Sequence, residues 1–163
     1  MENIVFRDYQ ISDVQDLKDI ILQAENFGPN FLDSELQKND LFLNNPKFGR
    51  IILAIDPLIN IILGIARIEF KWRSLVIDSL ITHHKYMRKG IGSRLIEKIK
   101  EIGENHPKIN VIRVNTGDFM IYAQKFYLSC GFRITGHISH DMSWFNNQVH
   151  FSYPLKGVEK EEN

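Results

Sequence analysis

The chain is short of several things, and each shortage excludes something. It holds one cysteine, Cys130, among 163 residues, which forbids an intramolecular disulfide and a cysteine-rich zinc cluster. It has no excess of either charge: twenty Lys and Arg balance twenty Asp and Glu. A neutral chain lacks the broad positive field of a nucleic-acid or anionic-membrane binder, so any phosphate site must be local. Long apolar runs are missing as well. Ile61-Ile62-Leu63-Gly64-Ile65-Ala66 falls far short of the roughly 20 residues that a membrane span needs. The segment Met1-Glu2-Asn3-Ile4-Val5-Phe6-Arg7-Asp8 has no basic stretch followed by an apolar one, the mark of a secretory leader. A cytoplasmic protein is expected, without nucleic-acid or membrane partners. No repeat, low-complexity tract or linker breaks the chain, so residues 1–157 read as one domain and 158–163 as a solvated charged tail.

What is present is a patterned apolar core, 44% of the composition. Asn3 to Asp8 reads as a strand. Ser12 followed by Gln15 has capping-box spacing and opens a helix whose Val14, Leu17, Ile20, Ile21 and Ala24 share a face. A second helix is predicted from Ser34 to Leu43, stopping before Asn45-Pro46. Runs at Arg50–Ile55 and Ile61–Phe70 form a hairpin across Asp56-Pro57-Leu58-Ile59-Asn60, and a third strand covers Ser74–Thr82. The period then changes from 2 to 3.6: Ile91, Leu95, Ile99 and Ile102 stripe a helix ending at Gly103. A strand at Asn110–Val114 follows, then a helix carrying Phe119, Ala123, Phe126, Tyr127 and Cys130, closed by Gly131. Strands at Phe132–His137 and Gln148–Pro154 finish the chain. The expected fold is α/β (α+β): a mixed, mostly antiparallel sheet of about seven strands with about four helices.

The stretch richest in chemistry runs Leu80-Ile81-Thr82-His83-His84-Lys85-Tyr86-Met87-Arg88-Lys89-Gly90-Ile91-Gly92-Ser93-Arg94-Leu95. An apolar strand ends, a basic turn with glycines follows, and a helix starts. Helix-start amides are unpaired and converge, and the helix dipole makes the spot positive, which suits a phosphate or pyrophosphate. Gly90 and Gly92 remove side chains that would hold an anion away from the backbone; Lys85, Arg88 and Lys89 add charge. A dinucleotide fingerprint needs a further glycine where Leu95 stands, and a nucleoside-triphosphate loop needs Gly-Lys-Ser or Gly-Lys-Thr, so neither applies.

This stretch resembles the acetyl-CoA-binding core of the GNAT superfamily of N-acetyltransferases. Leu80-Ile81-Thr82 stands where that family has Leu-x-Val, and Gly90-x-Gly92 matches its Gln/Arg-x-x-Gly-x-Gly/Ala loop, with Met87 at the Gln/Arg position. A second stretch, Ala123-Gln124-Lys125-Phe126-Tyr127-Leu128-Ser129-Cys130-Gly131-Phe132, resembles the family's Ala-x-x-x-Tyr-x-x-x-Gly-Phe, with Met120 where an Asn often contacts the pantetheine arm. The element order fits from Asn3 to Pro154.

The resemblance implies acetyl-CoA as co-substrate, a primary amine of a small molecule or peptide as acceptor, and direct attack in a ternary complex. It also implies a cofactor site at Leu80, Ile81, Thr82, Arg88, Lys89, Gly90, Ile91, Gly92, Ser93 and Tyr127. Backbone amides at Leu80 to Thr82 would receive the acetyl carbonyl, and Tyr127 would be general acid to the leaving thiolate. The competing reading of Tyr127 is a core aromatic. A lysine-like amine is nearly all protonated at pH 7, so a base is wanted. Asp78, alone among apolar neighbours in its strand, is the candidate base or else a structural carboxylate; Glu69 is the reserve, and Val76 stands where some relatives carry a Glu.

No metal is expected. His83 and His84 should point to opposite faces of an extended chain, and His106, His137, His140 and His150 are scattered. Cys130 reads as an inert buried thiol. Acceptor contacts are expected from Asn26–Phe31 and Ser139–Asn147, with Phe27, Phe31, Trp144 and Phe145 as an apolar wall. A CoA-binding sensor without turnover and transfer of a longer acyl group stay open, and an exposed strand edge offers a route to a homodimer.

Overall fold

The computed structural model describes residues 3–23, 31–143 and 146–155. The elements in chain order are β1 (Val5–Asp8), α1 (Val14–Leu22), α2 (Phe31–Asn44), β2 (Gly49–Asp56), β3 (Ile61–Lys71) and β4 (Ser74–Thr82). They continue with α3 (Ile91–Glu104), β5 (Val111–Gly117), α4 (Ile121–Ser129), β6 (Arg133–Ser143) and β7 (Asn146–Pro154). Short 3₁₀ turns precede α1 at Ile11–Asp13 and follow β4 at His84–Tyr86. The strands join in the order β1-β2-β3-β4-β5-β7-β6, a seven-stranded mixed sheet in which the described β4–β5 ladder is parallel. The expected sheet of about seven strands with four helices is what forms. Contacts cluster into two compact units, Met1–Phe70 with Asp78–Ile99, and Lys71–Ile77 with Lys100–Asn163.

In the first unit, β2 and β3 are buried along nearly their whole length, which requires cover on both faces. On one face Leu17, Ile20 and Ile21 of α1 and Phe42 of α2 pack with Ile51, Leu53, Ile55, Ile62 and Ile65. On the other lie Ile91 and Leu95 of α3. There Gly64 of β3 comes so close that an added Cβ would stand 3.0 Å from the Ile81 carbonyl oxygen, 3.1 Å from Ile91 and 3.2 Å from Leu95. In the second unit β5 alternates, burying Ile112, Val114 and Thr116, and Tyr127, Phe132, Val149, Phe151 and Leu155 complete the core.

Three local expectations are corrected. The first helix is not capped through Ser12 and Gln15. Its entry is the 3₁₀ turn from Ile11, and Asp13 accepts the Gln10 amide at 2.8 Å while taking both Arg7 nitrogens at 2.7 Å. Gly103 does not end α3, which runs to Glu104. It is a close-packing position, where a Cβ would meet Leu155 Cδ1 at 2.8 Å. Cys130 is half-buried rather than buried, at the end of α4, where its carbonyl accepts from Lys100 Nζ at 2.9 Å. Gly131 does close α4, with φ +87°.

Candidate active site

The loop between β4 and α3 is built by its backbone. His83 donates its amide to the Leu63 carbonyl at 2.9 Å and its ring accepts from the Lys85 amide at 3.2 Å, tying the end of β4 to the 3₁₀ turn. Arg88 (φ +59°) and Gly90 (φ +80°) then take left-handed conformations on either side of Lys89. Such reversals turn successive amides toward one side of the chain, an anion-binding arrangement. Arg94 donates to the Gly90 carbonyl at 3.0 Å, closing the first turn of α3. The amides of Ile91, Gly92 and Ser93 therefore belong to the first turn, where helix geometry supplies no acceptor. A Cβ added at Gly90 would have nothing within 4 Å. The space over Gly90 is open.

Charge supports the same spot. Lys85, Arg88 and Lys89 are exposed, and Lys89 Nζ lies 5.1 Å from the centre of the Tyr86 ring. His83 is held neutral-leaning: burial first, then His84 and Lys85, push its pKa below the ordinary value. The two histidine rings stack at 4.9 Å instead of diverging, because the chain has already left the strand, and His84 Nδ1 lies 2.6 Å from Gln23 Oε1. No group of three or more metal-ligating side chains occurs among the described residues.

Upstream of the loop, β4 pairs with β5 through Ser74↔Val111, Leu75↔Ile112 and Val76↔Arg113. The described ladder stops there, although β4 continues to Thr82. Asp78, Leu80, Ile81 and Thr82 thus lie on the part of β4 beyond the ladder.

Asp78 is not alone. Its Oδ2 accepts from Arg67 Nε at 2.6 Å and lies 2.5 Å from Nη2, and its Oδ1 lies 3.6 Å from Lys38 Nζ. Arg67, on β3, is 1% exposed. Its other hydrogens go to Glu35 Oε1 at 2.8 Å, the Glu35 carbonyl at 3.3 Å and Asn39 Oδ1 at 2.9 Å, with the Phe42 ring 5.8 Å away. A buried guanidinium demands this many acceptors, and α2 supplies most of them. The structural reading of Asp78 therefore has a concrete partner, and the carboxylate keeps one oxygen outside it. Sequence inspection missed Arg67, Glu35, Asn39 and Lys38. A signal was available: Arg67 interrupts an apolar strand and stands as far before Trp72-Arg73 as Asp78 stands after it. Glu69 is half-buried near the end of β3.

Tyr127, on α4, is 7% exposed, within 5.3–5.9 Å of the Phe126, Phe132 and Phe151 ring centres. Burial, with a smaller contribution from Cys130, pushes its phenol far above the ordinary value, so it keeps its proton. Of the expected acceptor loops, 26–30 and 144–145 lie outside the described residues, and Phe27, Trp144 and Phe145 with them.

No curated protein matches the chain in sequence. Among solved structures, a Desulfovibrio desulfuricans protein assigned to the GNAT family superposes with a TM-score of 0.77 at 12% identity, over 93% of this chain and 99% of the other. Spermidine N-acetyltransferase from Vibrio cholerae, in complex with CoA and spermine, gives 0.75 at 14% identity over 95% and 97%. The ribosomal-protein-S18-alanine N-acetyltransferase of Escherichia coli gives 0.72 at 11% over 99% of each chain. At these identities the likeness speaks for the fold. The sequence profile of the acetyltransferase (GNAT) family matches residues 14–132, most of the chain. With that match spanning β4, the loop after it and α3, the chain is an acyltransferase and belongs to the GNAT acetyltransferase family.

Proposed function

We propose that the protein transfers the acetyl group of acetyl-CoA to a primary amine by direct attack within a ternary complex. The observation that carries this is the open, glycine-floored start of α3, where Gly90 holds φ +80° and leaves the space above it free. In this reading the amides of Ile91, Gly92 and Ser93 hold the pyrophosphate, with Arg88 and Lys89 contributing charge. Acetyl-CoA supplies the activated acyl group. The amides of Leu80, Ile81 and Thr82 receive the acetyl carbonyl as negative charge develops on it. Tyr127 serves the departing sulfur as acid, and Asp78 is the base through its Oδ1. The acceptor is a small-molecule or peptide amine. Acetyl-CoA chemistry and the single cysteine favour a cytoplasmic enzyme.

Isothermal titration with CoA and acetyl-CoA, then thiol release over a panel of amines, tests this. Saturable binding with amine-dependent release is the expected result; no binding at high protein concentration overturns it. A second reading, a CoA-binding sensor without turnover, is favoured by one observation: Arg67 and Lys38 already occupy both sides of Asp78. Binding without release for any amine would support it.

A further inference from the structure

Lys38 places an amine of the chain itself beside the candidate base. Its Nζ lies 3.6 Å from Asp78 Oδ1 and 3.9 Å from Glu35 Oε1, and its side chain is 44% exposed. Both distances exceed a hydrogen bond, so charge holds the ammonium near without fixing its geometry. Arg67 holds the same carboxylates more tightly: it reaches Asp78 at the other oxygen, Oδ2, at 2.5 Å and shares Glu35 Oε1 with the lysine at 2.8 Å. Arg67 thus orients Asp78 so that Oδ1 faces the lysine. Asp78 and Leu80 are two residues apart on β4, which puts them on one face and about 7 Å apart along the strand. The four-carbon arm of Lys38 swings over that range by side-chain rotation alone.

We propose that Lys38 is a self-acetylation site, an internal acceptor amine for the acetyl group held at Leu80 to Thr82. The inference rests on the transferase reading above. In the step, Asp78 Oδ1 takes a proton from the Lys38 ammonium, and Nζ attacks the thioester carbonyl carbon. A C–N bond forms and the C–S bond breaks, with its electron pair leaving on sulfur. The acylated nitrogen gives up its second proton as the thiolate takes one up to become CoA thiol, and Asp78 returns its own to water. The sum is one ammonium and one acetyl-CoA giving one acetamide, one CoA thiol and one released proton. Holding the amine next to the acyl carbon supplies an effective concentration that lysines elsewhere on the surface lack. Acetylation removes the charge from Lys38 and leaves the Arg67 contacts with Glu35 and Asp78 in place.

The test is incubation of the intact protein with acetyl-CoA, with peptide mass mapping of every lysine over time. Lys38 should be acetylated about tenfold or more faster than the exposed Lys47 and Lys108, the margin that proximity confers. Its rate should saturate in acetyl-CoA and stay independent of protein concentration. With acetyl phosphate, which lacks the CoA moiety, the preference should vanish. Asp78→Asn should abolish the preference while Lys47 and Lys108 keep their rates. Should that variant fail to fold, the saturation and acetyl phosphate arms decide on the wild-type chain. Lys38 reacting at the pace of Lys47, or showing equal preference with acetyl phosphate, overturns the proposal. Calorimetry separates the two levels: absence of acetyl-CoA binding overturns the transferase reading and this one together, whereas binding with Lys38 at the background rate overturns this one alone.

Discussion

Replacement of Gly64 by alanine tests how β3, β4 and α3 are fitted together behind the loop that joins β4 to α3. The new Cβ would stand 3.0 Å from the Ile81 carbonyl oxygen, 3.1 Å from Ile91 Cγ2 and 3.2 Å from Leu95 Cδ1, so all three neighbours must yield by a few tenths of an ångström. Ile91 and Leu95 are essentially buried and have nowhere to rotate, and the third neighbour is backbone. Overpacking of this kind costs about 1–3 kcal/mol. Against it, alanine relieves the entropy penalty of a glycine inside a strand, about 0.5–1 kcal/mol. The net expectation is a loss of about 1–2 kcal/mol, which at ordinary urea m-values moves the midpoint down by roughly 0.5–1 M. Gly103→Ala is the internal comparison. Its Cβ meets Leu155 Cδ1 at a shorter 2.8 Å, but that atom ends a flexible side chain, and alanine is favoured in a helix by about 1 kcal/mol. Gly103→Ala should therefore be near neutral despite the closer contact. Gly64→Ala should also weaken acetyl-CoA binding, because the displaced carbonyl belongs to Ile81. A Gly64→Ala protein as stable as wild type, or a Gly103→Ala protein that loses more, would refute the reasoning.

Four further outcomes are expected from the same geometry. Gly90→Ala forces a side chain into a left-handed backbone at a cost of about 1–2 kcal/mol with no clash to add, so its denaturation midpoint should fall modestly; calorimetry should show a larger loss in CoA affinity. Tyr127→Phe keeps the aromatic packing and should lower kcat far more than it alters the CoA Kd; an unchanged kcat removes the phenol from the chemistry. Arg67→Met strands Glu35 and Asp78 without their cation and should cost about 3–5 kcal/mol by urea denaturation, a value near zero being incompatible with the buried pairs. Asp13 has its pKa lowered chiefly by the hydrogen bonds from Arg7, and the unfolded carboxylate titrates near 3.9. A depressed folded value means the unfolded state takes the proton first. The stability Asp13 confers is thus complete above about pH 5 and is lost as pH falls through the folded pKa. Asp13→Asn should show a flatter acid limb in a pH series of denaturation midpoints, and identical limbs would contradict the Arg7 pairing.

Periodicity made the elements legible because most helices and strands have one apolar side, and the turn between β4 and α3 stood out because glycines and basic residues follow the end of an apolar strand. Boundaries went wrong where a tertiary contact overrode a local signal. Ser12 has the composition of a helix cap, but Arg7 on β1 orients Asp13, and the turn starts earlier. Gly103 has the composition of a helix stop, but the close approach of Leu155 explains it. The partners of Asp78 were hidden for another reason. Glu35 and Asn39 look like the solvated face of α2 until β3 is known to present Arg67 to them, and that pairing joins residues 28 and 32 positions apart.

The buried guanidinium also fixes the rotational setting of α2. Glu35 and Asn39 lie four residues apart, on a single side of the helix, and both bind Arg67. Deleting one residue from a helix rotates the segment before the gap by about 100° relative to the segment after it. A deletion between the two would carry one acceptor away from the strand and leave a cation in the interior short of partners. Insertions and deletions in this stretch should therefore be tolerated only ahead of Glu35 or beyond Asn39, and attempts to reshape the acceptor side by altering α2 must preserve the spacing of that pair.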